Sequence, residues 1–252
     1  MAKKKTAKKK KEIAVKSNNP LAAAGEINGM FGGEGIQIPV DAPLPAISIM
    51  RESAQFEMSD GSYSREFTGH IVYWHNANQY YSAAFGEGDS LVPDCSSADG
   101  ISPDGGKFAQ NGPCRTCELN KFGSAKEGDG KACQNTIRMY VLVDGEVIPS
   151  VLKAPPSSLG KKDSLMRWLT SAPNIAAKAG VGTKYQPIRV KFSLRKKDFT
   201  SGMSASVIET ETVKVLTMDT DSDKLNQLAR LYRNFMSNYM PRVQKDVSAE
   251  SA

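Results

Sequence analysis

Long apolar runs are missing from this 252-residue chain. No stretch approaches the roughly eighteen consecutive apolar residues that a membrane-spanning helix needs, which excludes a helical membrane protein. The amino-terminal lysines are followed by no apolar segment of the kind a secretory signal requires, so a reducing, cytoplasmic setting is expected and the cysteines start as thiols. Histidine is scarce: His70 and His75 are the only two. They lie five apart in strand-like sequence without the spacing of a helical zinc-protease motif, and ordinary strand residues are the expectation. A phosphate-binding P-loop is also missing, because Gly130-Lys131 has alanine at 125 and 132 where the motif needs Gly and Ser or Thr. Asp94, Asp99, Asp104 and Asp129 do not follow calcium-loop spacing. A nuclease-like carboxylate set stays open as an alternative.

Excess charge is missing too once the chain is divided. The formal net charge is +6, but residues 1–17 hold eight lysines and one glutamate, and the remaining residues carry 25 Lys+Arg against 26 Asp+Glu. The body is neutral. Any basic surface on it must come from local placement of cations. The lysine block suits a second phosphate contact, a nuclear-type signal or a solubility tail, and sequence alone leaves the three open.

What is present reads mainly as β-structure. Residues 1–46, a lysine block and a Gly/Pro-rich stretch, lack periodicity and are expected to be a disordered arm and linker; residues 241–252 read as a flexible tail. Between them, 47–240 form one domain. The segments AISIM, SAQFEM and EFTGHIVYWH carry β-branched and aromatic residues between turn clusters. Asn76-Ala77-Asn78 suits a hairpin turn before QYYSAAF, since Asn tolerates left-handed backbone. Strands follow at 136–143 and in EVIPSVLKA, then a helix in PPSSLGKKDSLMRWLTSA with Leu165, Met166, Trp168 and Leu169 on one face. In QPIRVKFSLRKKDF, Ile188, Val190, Phe192 and Leu194 alternate with Arg189, Lys191, Ser193 and Arg195, and SVIETETVKVLTM is its expected partner. Leu225, Leu228, Tyr232, Phe235 and Tyr239 then recur at three and four residues, the mark of an amphipathic C-terminal helix. This order suits an OB-like small barrel, whose five strands carry a helix between the third and fourth. A β-sandwich or another α+β sheet would give a similar string.

Residues 86–135 interrupt that pattern. They are poor in aliphatic residues, rich in Gly, Asp, Ser and Lys, and contain all four cysteines, so they cannot close an apolar core. Cys95, Cys114, Cys117 and Cys133 follow the spacing Cys-x18-Cys-x2-Cys-x15-Cys. A two-residue gap lets one tight turn aim two sulfurs at one ion, and four thiolates complete a closed, structural Zn²⁺ site, one per chain. Two disulfides, an iron–sulfur cluster or unligated packing thiols are the alternatives. Only an ordering agent explains how such a segment folds, and a structural metal supplies on the order of 10 kcal/mol.

A protein that coats unpaired strands needs cations along the phosphates and rings for the bases, each stacked base contributing roughly 1–3 kcal/mol. Tyr73, Trp74 and Tyr81 from the first strands, Arg138 and Tyr140 on one side of the next, and Arg189 and Lys191 on the polar side of a later one are the candidates. Alternation forces one of each adjacent aromatic pair inward, so about half are expected in the core. A plain solvated face is the competing reading of the cations.

The runs Pro93-Asp94-Cys95-Ser96-Ser97-Ala98-Asp99-Gly100, Pro113-Cys114-Arg115-Thr116-Cys117-Glu118-Leu119-Asn120-Lys121-Phe122-Gly123-Ser124 and Gly130-Lys131-Ala132-Cys133-Gln134-Asn135 resemble a cluster found in a group of bacteriophage and prophage proteins, and Pro155-Pro156-Ser157-Ser158-Leu159 resembles that group's helix start. The resemblance covers roughly residues 70–215. It implies a single-stranded DNA-binding protein with an OB-like core and a zinc-binding insertion, acting in replication, recombination or repair, non-enzymatic, located in the host cytoplasm. By the resemblance Cys95, Cys114, Cys117 and Cys133 are the metal ligands. Single-stranded DNA and replication or recombination proteins are the implied partners, although the chain's end, DVSAESA, is only weakly acidic where many such proteins carry a strongly acidic recruiting tail. A zinc-stabilised adaptor for a replication or transcription protein is the alternative from another class.

Overall fold

The structure is a computed structural model that describes residues 44–50, 53–83, 92–104, 106, 108, 112–126, 128–198 and 204–239. The expected tail at 241–252, and the expected arm up to residue 43, lie outside the described residues. Leu44 is buried and Ala46 already opens the first strand, a little ahead of the boundary read from composition.

Nine strands form one curled, half-barrel sheet, flanked by two helices. The strands are β1 Ala46–Met50, β2 Gln55–Glu57, β3 Tyr63–Ser64, β4 Glu66–Tyr80, β5 Cys95–Ser97, β6 Gln134–Val143, β7 Ser150–Ala154, β8 Ile188–Asp198 and β9 Ser204–Val215. The helices are α1 Ser164–Lys178 and α2 Met218–Asn234, the latter running into a π-helical turn at Phe235–Tyr239. Strand order is β3-β2-β1-β7-β6-β4-β8-β9, with β5 on the far end of β4. β4, β6, β7, β8 and β9 reproduce the OB-like order: the long first strand pairs with the second and the fourth, and α1 sits between the third and fourth.

The barrel is not closed between β7 and β9. β1 runs parallel beside β7 instead. The free edge of β9 is satisfied by hydroxyls, since Ile208 N–H donates to Ser158 Oγ at 2.9 Å and Thr210 N–H to Ser164 Oγ at 3.0 Å. Ser158 belongs to the Pro-Pro-Ser-Ser-Leu run, so that motif blunts a strand edge which would otherwise present bare donors.

The expected hairpin turn at Asn76-Ala77-Asn78 does not form. β4 continues through it, with Asn76, Ala77 and Asn78 in register with Ile137, Thr136 and Asn135 of β6. The ladder outweighs the turn preference because β6 offers backbone partners along the whole segment, and Asn135 Nδ2 donates to Asn78 Oδ1 at 2.7 Å. A register shift between Ile71 and Tyr73 inserts one extra residue in β4. The bulge reverses the alternation, so Phe67, Gly69 and Ile71 face the core before it and Trp74 packs against the core after it. Gly69 is needed there: a Cβ would meet the carbonyl oxygen of Leu142 at 2.5 Å.

Ile137, Met139 and Val141 of β6, with Ile188, Val190 and Phe192 of β8, form the core against Leu165, Trp168, Leu169, Ala172 and Ala176 of α1. Phe67 stacks on Phe192 at 4.9 Å, and Phe56 meets Phe67 edge-on at the same distance. Trp168 Nε1–H donates to Thr212 Oγ1 at 3.0 Å, which satisfies the indole's one polar atom. The even positions of β6 therefore face away from α1.

Candidate nucleic-acid face and cysteine cluster

On that outward face, three side chains stand in one row across three strands. His75 of β4 is in register with Arg138 of β6, and Arg138 with Lys153 of β7. Neither Arg138 nor Lys153 has a carboxylate partner among the described residues. Lys153 Nζ donates instead to the neutral Gln79 Oε1 at 2.5 Å. Although Lys153 is exposed as a residue, partial desolvation of its ammonium, followed by the charge of Arg138, lowers its pKa. Like charges directly opposite in a sheet are unfavourable unless an anion bridges them.

Beside this row the same face carries an aromatic cluster. Tyr140 lies 4.6 Å from Phe235 and 5.8 Å from His75 between ring centroids, and Tyr73 lies 6.1 Å from Phe235. Phe235, from the turn that follows α2, covers the strand rings, so that Tyr140 and Phe235 are each only 2% exposed. His75 Nδ1 is 2.6 Å from the Ala98 carbonyl and 2.8 Å from that of Asn76, which places its proton on Nδ1 and leaves Nε2 to accept from Tyr140 Oη at 3.2 Å. Through Ala98, this ring also ties the sheet face to the cysteine-bearing insertion.

The structure separates the other candidates. Tyr73 is half-buried in the aromatic cluster, Trp74 is half-buried against the core, and Tyr81 is half-buried just beyond the end of β4. Arg189 is held by Asp144, with Nη2 at 2.6 Å and Nε at 2.7 Å from one carboxylate oxygen, and Nη2 also donates to Thr68 Oγ1 at 3.1 Å. Burial acts to raise the Asp144 pKa, but hydrogen bonds from Thr68 and Arg189 outweigh it and hold it below the usual value. Lys191 lies 3.1 Å from Glu211 and 3.9 Å from Glu66, and the Glu211 hydrogen bond raises its pKa. Among the described residues Arg138 thus has no carboxylate partner, whereas Arg189 and Lys191 already face carboxylates.

All four cysteines are thiols, and all four line one cavity of about 20 Å³, with Asn78, Ser96, Ser97, Leu119 and Asn120 among its other walls. That volume admits a single water-sized sphere. Cys114 and Cys117 sit on the tight turn that their spacing implies, where the N–H groups of Thr116 and Cys117 both reach the Pro113 carbonyl, at 3.0 and 3.2 Å. Cys95 arrives on β5, paired with Tyr80, and Cys133 is fixed by its N–H to Leu119 O at 2.8 Å. Among the described residues no three or more His, Cys, Asp or Glu side chains already form a coordination shell. The donor set nonetheless fits a soft cation. Burial, then the charges of Cys114, Cys95 and Cys117, push the Cys133 thiol up to about 12, and burial first, then Cys114 and Cys117, raises Cys95. Thiols whose ionisation is disfavoured in this way, as at Cys95 and Cys133, are stabilised as thiolates by a cation placed in the cavity among the four sulfurs.

Lys153 and Gln79 were not foreseen from sequence, although Lys153 lies two residues from Val151 in a readable alternation. Phe235 was foreseen as a helix-face residue but not as the cover of Tyr140, which depends on where α2 docks. Scans against family models, curated proteins and solved structures find no match for this chain. No helix among the described residues is long and apolar enough to cross a membrane.

Proposed function

We propose that this chain is a non-enzymatic single-stranded DNA-binding protein of the kind the cysteine cluster resembles, acting in phage DNA replication, recombination or repair. The observation that carries the reading is the juxtaposition of Arg138 and Lys153, two cations in cross-strand register on the outward face of the second and third strands of an OB-like unit, without a carboxylate partner among the described residues. That face and the connection after the first strand are where OB folds take oligonucleotides.

The backbone phosphates of the strand bridge the two cations, which relieves their mutual repulsion and releases counterions. Gln79 holds the Lys153 ammonium in place, and His75 anchors the insertion to the same row through Ala98. Cys95, Cys114, Cys117 and Cys133 would hold one structural Zn²⁺, which supplies the folding energy that this core-poor insertion lacks. Tyr73 and Tyr140 sit under Phe235, so in this conformation they shape the face rather than offer open rings. Replication or recombination proteins remain the proposed protein partners, and the cytoplasm the proposed location. Fluorescence anisotropy with labelled oligo(dT) tests the reading. Tight binding that weakens with salt supports it, and equal binding to single strands and duplex sinks it.

A further inference from the structure

We infer that Phe122 is a base-stacking platform for single-stranded DNA, carried on the cysteine-bearing insertion and distinct from the sheet face. The inference rests on the proposed DNA-binding function and adds a contact that neither alternation nor the sheet geometry assigns. Phe122 is 82% exposed, more than any other large apolar side chain among the described residues. Leaving a whole phenyl ring in water forgoes the stabilisation its burial would give, a cost that a fold bears most readily where the ring meets something else.

The loop that carries the ring is held by hydrogen bonds. The turn after Phe122 needs Gly123 at φ +83°, a left-handed conformation that disfavours a side chain. Gly123 N–H donates to Gly130 O at 2.9 Å, Ala132 N–H donates to Ser124 Oγ at 3.0 Å, and Ser124 Oγ lies 2.9 Å from the Leu119 carbonyl. Lys131 Nζ stands 5.1 Å from the Phe122 ring centroid and donates to Asn120 Oδ1 at 3.1 Å and Asn135 Oδ1 at 2.9 Å. One side of the ring therefore meets a fixed ammonium, and the high exposure leaves the rest of it to solvent. Both oxygens that hold Lys131 are neutral amides and no carboxylate among the described residues pairs with it, so its ammonium is placed to meet a phosphate next to the stacked base.

A base suits this site better than a protein surface. Its sequence neighbours Asn120, Lys121, Gly123 and Ser124 are polar or glycine and add no second apolar side chain beside it. The insertion also occupies the connection between the first and second strands of the OB-like unit, β4 and β6, a place from which loops reach oligonucleotides.

The test uses the full chain and labelled oligo(dT). F122A should weaken binding about five- to hundredfold, with the dependence on salt and the thermal midpoint unchanged, because a stacking ring neutralises no phosphate and an exposed ring supports no core. F122W should restore affinity, and its emission, measured above the Trp74 and Trp168 background, should be quenched by oligo(dT). If the unaltered protein binds oligo(dT) and F122A binds it equally well, or F122W is not quenched, the stacking role is overturned while the broader function stands. If the unaltered protein does not bind at all, the proposed function itself fails.

Discussion

Arg138 and Lys153 face each other directly across β6 and β7, and among the described residues the side-chain partner fixed to the pair is the neutral amide oxygen of Gln79 on Lys153. A sheet gains nothing from that arrangement by itself, so its removal should not harm the fold. Arg138→Gln and Lys153→Gln should each leave the thermal midpoint unchanged or slightly raised. Each should also lower the salt dependence of oligo(dT) binding by about 0.7 in log–log slope. A loss of stability without a change in slope would assign the pair to folding.

Phe235 is the lid of the aromatic cluster, 4.6 Å from Tyr140 with both rings almost fully buried. Truncating a ring so placed commonly costs about 3–5 kcal/mol. Phe235→Ala should therefore lower stability in urea by an amount near the bottom of that range, since the ring sits near the end of a helix, and Phe235→Leu should lower it less. A change under about 0.5 kcal/mol would mean that this turn is not docked on the sheet in solution.

His70 gives stability a pH dependence of predictable sign. It is 2% exposed, and its Nδ1–H donates to the Gln186 carbonyl at 3.0 Å. Burial lowers its pKa, the Gln186 hydrogen bond opposes this, and the charge of Lys224 lowers it further. The unfolded chain, with a histidine near 6.5, therefore binds a proton more readily than the folded one. Stability should fall as the pH drops below about 6.5, by at most about 1.4 kcal/mol per unit, and level off once the lowered folded value is passed. Asp144 and Asp221 are both lowered, Asp221 to about 2 chiefly through the Lys214 hydrogen bond, so their losses come at more acid pH. Urea titrations of the unaltered protein and His70→Gln between pH 5 and 7 should differ in slope; equal slopes contradict the assignment.

The cysteine cavity predicts a metal content. Elemental analysis of the purified chain should find one zinc per molecule, and Cys114→Ser should lose it along with protease resistance over residues 95–133. Metal binding should release protons, because a thiol must become a thiolate to ligate the ion. A protein that is metal-free yet resists proteolysis there would point to another source of order.

Much of this was legible in the sequence where one period dominates. Ile188, Val190 and Phe192 are fully buried as their alternation required, and Leu165, Trp168 and Leu169 line the buried face of α1. The Cys-x2-Cys spacing likewise anticipated the turn at Pro113. Tyr73 and Trp74 were undecidable because a single extra residue in β4 reverses the alternation between Ile71 and Tyr73, and no local signal marks a bulge. Asn76-Ala77-Asn78 misled because turn propensity is local, while the ladder with β6 joins residues nearly sixty positions apart. The capping of the free β9 edge by Ser158 and Ser164 was equally invisible, since each hydroxyl acts on a strand more than forty residues away.

The central claim, that the neutral folded body itself grips unpaired DNA, is tested most directly by titrating the chain lacking residues 1–17, alongside the full chain, with oligo(dT) and a matched duplex at two salt concentrations. The account predicts that the shortened chain keeps a clear preference for the single strand, with a shallower salt slope than the full chain. A shortened chain that binds single strand and duplex alike, with the full chain's extra affinity lost when the arm is removed, would contradict it.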